Sequence, residues 1–206
     1  MIRVAASFGA DLERHVYWSG HSNGCAMAQR MAAQAPNIVA AVGCHSLYLL
    51  IDESDFPTAA YAPKRVPIIE VHGTADSVVS YHGFMGSSAR QNLQRWASHN
   101  GCPNVTAPHE CVLAAAKHRG KDRVEFSRHT GCEGGADVAL LSLPGVGHTP
   151  HQGKDTDVDT TQVARSPEAA VRQQLPNCVS QRQRSGCAVH ALGPARTDYL
   201  QASFLV

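Results

Sequence analysis

Two short runs constrain the fold of this chain more than any other feature. Ile38-Val-Ala-Ala-Val-Gly-Cys44 and Pro67-Ile-Ile-Glu-Val-His72 are almost continuously apolar and lack the alternation of a strand with one wet face. A strand reads this way when both of its faces are covered, which is the environment of a parallel sheet flanked by helices. Parallel neighbours need crossover connections, and helix-prone segments stand where crossovers are required: Cys25 to Ala35, closed by Pro36, and Ser87 to His99. A third run, Asp137 to Leu143, is broken by Pro144-Gly145, and an aromatic, β-branched stretch begins at His15. Ile2, Val4, Ala5, Phe8 and Leu12 recur at roughly helical spacing and predict an opening helix that ends near Arg14. Strands alternating with helices give an α/β fold, here a parallel sheet of about four strands with flanking helices.

The chain has 206 residues, of which 43% are hydrophobic, enough for one folded domain with a core. That domain is expected over 1–165. Within it, 101–136 reads as a loop-rich excursion. The segment 166–206 is rich in Gln, Arg, Ser and Pro without sustained periodicity and is expected to be a poorly ordered tail. A net charge of +1 gives no field to draw in nucleic acid. No apolar stretch approaches the ~20 residues of a membrane span. Met1 to Ala10 carries no apolar run of signal-peptide length, so that, as a true start, it predicts a protein that stays inside the cell. The seven cysteines contain no C-x-x-C pair, which argues against a structural zinc site, and an odd count leaves at least one thiol unpaired in the monomer. Cys25 and Cys44, each beside apolar residues, read as small buried hydrophobes. His21, His45, His72 and His82 lack metal-site spacing, and no metal is expected.

Gly20-His21-Ser22-Asn23-Gly24 is a G-x-S-x-G pentapeptide, of which about 0.1 would occur here by chance. It follows a strand and opens a helix, the setting in which flanking glycines permit a turn sharp enough to lift a serine hydroxyl toward a substrate. A serine at such a position can also be a simple helix N-cap. To act as a nucleophile, the hydroxyl needs a base to take its proton and an acid to orient that base. Asp76 lies just past the Pro67–His72 strand and His148 in the glycine-rich loop after the last strand, both at strand C-termini where an open α/β sheet gathers functional groups. The order Ser22, Asp76, His148 is that of α/β-hydrolases. The N–H of Asn23, next to the nucleophile, is the expected oxyanion donor. Tyr48, Phe56 and Tyr61 could line a cleft or pack their loop onto the sheet. Asn104-Val105-Thr106 is a glycosylation sequon only in a secreted protein.

Val16-Tyr-Trp-Ser-Gly-His-Ser-Asn-Gly24, Val71-His-Gly-Thr-Ala-Asp-Ser-Val-Val79, Asn92-Leu-Gln-Arg-Trp-Ala-Ser-His-Asn-Gly-Cys102 and Gly145-Val-Gly-His-Thr149 together resemble the polyhydroxybutyrate depolymerase and feruloyl esterase-like group of α/β-hydrolases over residues 10–165. The resemblance implies a carboxylic ester hydrolase with Ser22 as nucleophile, His148 as base and Asp76 as orienting acid, acting without a cofactor on small or polymeric esters. It also implies a disulfide between Cys102 and Cys132, and secretion, in conflict with the first ten residues. The chain departs from the group in three ways. The nucleophile strand begins near residue 15, so the chain reads as the C-terminal half of the fold. Four strands and the second oxyanion donor are missing, and the nucleophile strand is expected at a sheet edge, open to a complementing N-terminal segment or a second copy. Thr149-Pro150-His151 stands where an aromatic residue is usual, and the tail stands where a packing helix is expected. The alternatives are a non-catalytic remnant and a serine peptidase of the same fold.

Overall fold

The structure is a computed structural model and describes residue 7 and residues 16–49, 64–106, 108–113, 124–149 and 178–180. Its described strands form one sheet: β1 (Tyr17–His21), β2 (Ala41–His45), β3 (Ile68–Gly73), β4 (His109–Leu113), β5 (Val124–His129), β6 (Val138–Leu143) and β7 (Cys178–Ser180), in the spatial order β1-β2-β3-β6-β5-β4-β7. β1, β2, β3 and β6 pair in parallel. β5, β4 and β7 continue the sheet from β6 with antiparallel pairings.

Among the described residues, two α-helices lie between these strands, α1 (Asn23–Gln34) and α2 (Ala89–His99). Each buries positions i, i+3, i+4, i+7 and i+8: Cys25, Ala28, Gln29, Ala32 and Ala33 in α1, and Ala89, Asn92, Leu93, Trp96 and Ala97 in α2. That stripe is the one a helix needs to lie on a sheet. The core divides between the two faces of the sheet. Val42, Cys44, Ile68, Val138 and Leu140 pack with the helix residues on one face, and Ile69, Val71, Val124, Phe126, Leu141 and Leu143 pack on the other. Alternate residues of β3 and β6 thus serve opposite cores, which accounts for their continuous apolar character.

Several sequence expectations change. The strand predicted from Ile38 begins only at Ala41, because Pro36–Ile38 forms a turn of 3-10 helix in which the Val39 N–H donates to the Pro36 carbonyl. The sheet is mixed and larger than a parallel sheet of four. The stretch 101–136 is not simply a loop, since it contributes β4 and β5, and Cys178–Ser180 in the expected tail pairs with β4. Three residues are too few to carry a periodic signal. Cys25 and Cys44 are buried, but as a disulfide and not as free hydrophobic thiols; Cys102 and Cys132 form a second one. The opening helix, apart from Ser7, and Phe56, Tyr61, Pro150 and His151 lie outside the described residues. Among the described residues, no helix is long and apolar enough to cross a membrane.

Candidate active site

β1 ends in the Gly20–Gly24 turn, whose sharpness has a local cause. A Cβ on Gly20 would lie 2.3 Å from the carbonyl carbon of Gly24, so the strand and the first turn of α1 can approach this closely only without a side chain at position 20. Ser22 is left at φ 56°, ψ −123°, outside the basins that L-residues prefer. Its backbone N–H donates to the His45 carbonyl at 2.9 Å, which ties the turn to the end of β2. Ser22 occupies the N-cap position of α1 but makes no side-chain cap hydrogen bond. The hydroxyl points elsewhere.

The loops after β3 and β6 are fastened to each other. The Thr74 N–H donates to the Leu143 carbonyl, the Ala75 N–H to the Val146 carbonyl and the Gly145 N–H to Thr74 Oγ1, at 2.9 to 3.0 Å. A Cβ on Gly73 would meet the Val146 oxygen at 2.2 Å, so glycine is again what permits the approach. This clamp brings residues 76 and 148 together although 72 positions separate them.

Asp76 is buried, and its Oδ1 accepts the N–H groups of Val78 and Val79 at 2.9 and 2.8 Å. Its Oδ2 lies 2.8 Å from His148 Nδ1. Burial pushes the Asp76 pKa up, but the His148 bond, the two backbone N–H bonds and the charge of His148 outweigh it, and the carboxyl sits below its ordinary value. An ionised carboxylate only accepts, which places the His148 proton on Nδ1 and leaves Nε2 as an acceptor. Nε2 faces Ser22 Oγ at 3.0 Å. The structure therefore brings Ser22, His148 and Asp76 into one hydrogen-bonded line at the C-terminal ends of β1, β6 and β3. Asn23 is exposed at the first position of α1, where no carbonyl one turn earlier is available to its N–H.

His21, on the last residue of β1, has its ring centroid 4.8 Å from that of His148. Burial, and then the charge of His148, hold its pKa below the ordinary value against the opposing pull of Asp76.

A second polar group lies behind Asp76. His72 is fully buried, with Nδ1 2.8 Å from Glu70 Oε1 and Nε2 2.9 Å from the Val79 carbonyl; Nε2 is also 3.5 Å from Asp76 Oδ2. Glu70 Oε2 accepts from Asn92 Nδ2 at 2.6 Å. The same Asn92 nitrogen donates to Gln29 Oε1, which also accepts from Trp96 Nε1. Tyr48 is buried, its ring stacked on His72 and its hydroxyl donating to the Ser80 carbonyl, so it packs and does not line a cleft. From the sequence alone His72 reads only as a rejected metal-ligand candidate, and Glu70 carries no assigned role. The signal was present: two ionisable residues two positions apart, hence on one face, interrupting an otherwise apolar parallel strand. Among the described residues, no group of three or more His, Cys, Asp or Glu side chains could hold a metal ion.

No family model matches the chain. Among curated proteins, it is 27% identical over 157 residues to the feruloyl esterase B of Piromyces equi, an alignment that spans 68% of this chain and 26% of that protein. The similarity is distant and partial, and it supports an esterase-like family at most. The chain spans about a quarter of the length of that relative.

Proposed function

We propose that this chain is a carboxylic ester hydrolase that works through Ser22, His148 and Asp76. The observation that carries the reading is the unbroken line from a strained elbow serine through a histidine to a buried, ionised aspartate, at 3.0 and 2.8 Å. Its chemistry follows from the protonation states above. Ser22 Oγ attacks the ester carbonyl as its proton passes to His148 Nε2, and Asp76 balances the imidazolium that forms. The tetrahedral oxyanion develops beside the N-terminus of α1, where the Asn23 N–H and the helix dipole favour negative charge. Collapse breaks the bond to the alcohol, which leaves with the proton from His148. Water, deprotonated by the same nitrogen, then attacks the acyl-Ser22 ester and releases the acid.

The similarity to a protein named feruloyl esterase B supports an ester as the substrate. Feruloyl, acetyl and hydroxyalkanoate esters are the classes we assign. The test is hydrolysis of p-nitrophenyl acetate and of methyl ferulate by the wild-type chain and by Ser22→Ala. Wild-type turnover that falls by about 10⁴-fold or more in the variant is expected. Equal rates in the two proteins would reject the reading.

A further inference from the structure

The Asp76 carboxylate has its two backbone donors on Oδ1, and on Oδ2 it has His148 on one side and His72 on the other. The second histidine has no role in the mechanism above, yet its ring is fully buried and is held at both nitrogens. Resting on the esterase reading, we propose that His72, protonated on both ring nitrogens and clamped by Glu70, is a positioning residue that holds Asp76 and, through it, governs how readily His148 takes up a proton.

The Val79 carbonyl can only accept, so Nε2 of His72 must bear a proton. Nδ1 faces Glu70 Oε1, and a single proton lies between them. Glu70 Oε2 is already the acceptor of an Asn92 N–H, an arrangement that favours the carboxylate, and Asp76 adds a second negative charge on the far side of the ring. Both place the shared proton on His72. Burial lowers the pKa of His72, but the Glu70 hydrogen bond and charge, the Val79 carbonyl and Asp76 overcome it and leave the ring above its ordinary value. Burial raises that of Glu70. Both directions keep the proton within the pair, and the geometry sets its side: Oε2 of Glu70 already accepts from Asn92, and Asp76 stands at the other nitrogen of His72.

The other groups around the ring do not supply the charge. Tyr48 stacks on it from the segment after β2, with a hydroxyl that burial and the nearby carboxylates keep neutral. Tyr81 meets it edge-on from the loop before α2 and is bonded to Ser142 Oγ; Arg90 and Glu125 act on Tyr81 with opposite signs. Beyond Asp76 stand His148 and, beside it, His21. The Glu70–His72 pair is neutral as a unit, but its positive end is the one turned toward Asp76. It offsets part of the Asp76 charge that His148 would otherwise feel. Neutralising His72 therefore makes His148 more basic.

Glu70→Gln tests this with every hydrogen bond retained. The oxygen of the introduced amide can accept from Asn92 while its NH₂ donates to Nδ1 of a His72 protonated on Nε2 alone. The acidic limb of kcat/KM for p-nitrophenyl acetate is expected to move to higher pH by about 0.5 to 1 unit, a loss of about 3- to 10-fold at pH 6 with little change above pH 8. A role in folding alone would not move the limb. In parallel, ¹⁵N-histidine NMR is expected to show His72 protonated on both nitrogens in the wild type and on Nε2 only in E70Q, with the His148 midpoint raised by the same amount. A His72 protonated on one nitrogen in the wild type, or an unchanged His148 midpoint in a folded E70Q, would overturn the proposal. Should E70Q not fold, the wild-type spectrum decides. Absent ester turnover with the His148 shift present would reject the esterase reading and leave the coupling standing; turnover with an unmoved limb would do the reverse.

Discussion

Ser22 sits at a φ, ψ pair that costs a residue with a side chain on the order of 1 to 3 kcal/mol, and such strain persists only where surrounding contacts over-determine it. Here they are the Ser22 N–H bond to His45, the start of α1 at Asn23 and the close pass of Gly20 over Gly24. Position 20 is where the arrangement is most vulnerable, because the atoms a Cβ would meet are backbone and cannot rotate away. Gly20→Ala is expected to lower stability by ~2 to 3 kcal/mol, read as a lowered urea midpoint at constant m-value, and to reduce ester hydrolysis through displacement of Ser22. A midpoint within error of the wild type would show that the turn can relax, and the steric account of the elbow would be wrong. His148 and Asp76 show the same economy at the level of atoms. Oδ1 of Asp76 takes the two backbone donors and leaves Oδ2 to His148, and the carboxylate fixes the tautomer of the ring.

At the scale of elements, β3 and the loop after it do most of the positioning. The strand is internal to the sheet, paired in parallel on both sides, and from its end the chain turns into Asp76 while its register with β6 delivers the His148 loop alongside. This part of the fold was legible in the sequence, because burial on two faces writes a continuous apolar run and glycine marks the close approaches at 20 and 73. Ser22, Asp76 and His148 could be picked out for the same reason, as polar residues just past such runs. What was not legible lies where the physics is non-local. β4 and β5 are an antiparallel pair whose interruption by 114–123 hides any hairpin signal, and β7 is three residues long. The Cys25–Cys44 link joins residues 19 apart across an element boundary, and the apolar neighbours of each cysteine describe a buried thiol equally well. Glu70 and His72 were visible as letters, but their role depends on α2 carrying Asn92 over the sheet.

For the whole molecule, the buried and part-buried histidines set opposing pH limits. Burial, then the nearby Arg65 charge, push the pKa of His99 down to about 4, against the pull of Glu133. Burial lowers that of His129 as well, and His21 is also depressed. The unfolded chain binds protons at these sites near pH 6.5 while the native one does not, so their stabilisation is present above that pH and is lost as pH falls through each folded value, about 4 for His99. His99 alone accounts for about 2 to 3 kcal/mol across this window. His72 has the opposite sign: its folded pKa is raised, so its contribution is complete below pH 6.5 and fades as pH rises through the folded value. Stability is therefore expected to peak close to neutrality, and urea midpoints measured from pH 4 to 9 check it. His99→Gln should flatten the acid side and leave the alkaline side in place; a steep acid side retained in that variant would assign the acid sensitivity elsewhere.

The claim on which the account turns is that the Ser22 hydroxyl is activated by His148. Intact-mass and peptide analysis after treatment with diisopropyl fluorophosphate addresses it without a choice of ester. One stoichiometric adduct is expected, on the peptide bearing Ser22, at a rate that falls on acidification and is lost in His148→Ala. An unmodified Ser22 in the folded wild-type chain, or labelling that is indifferent to removal of His148, would contradict it.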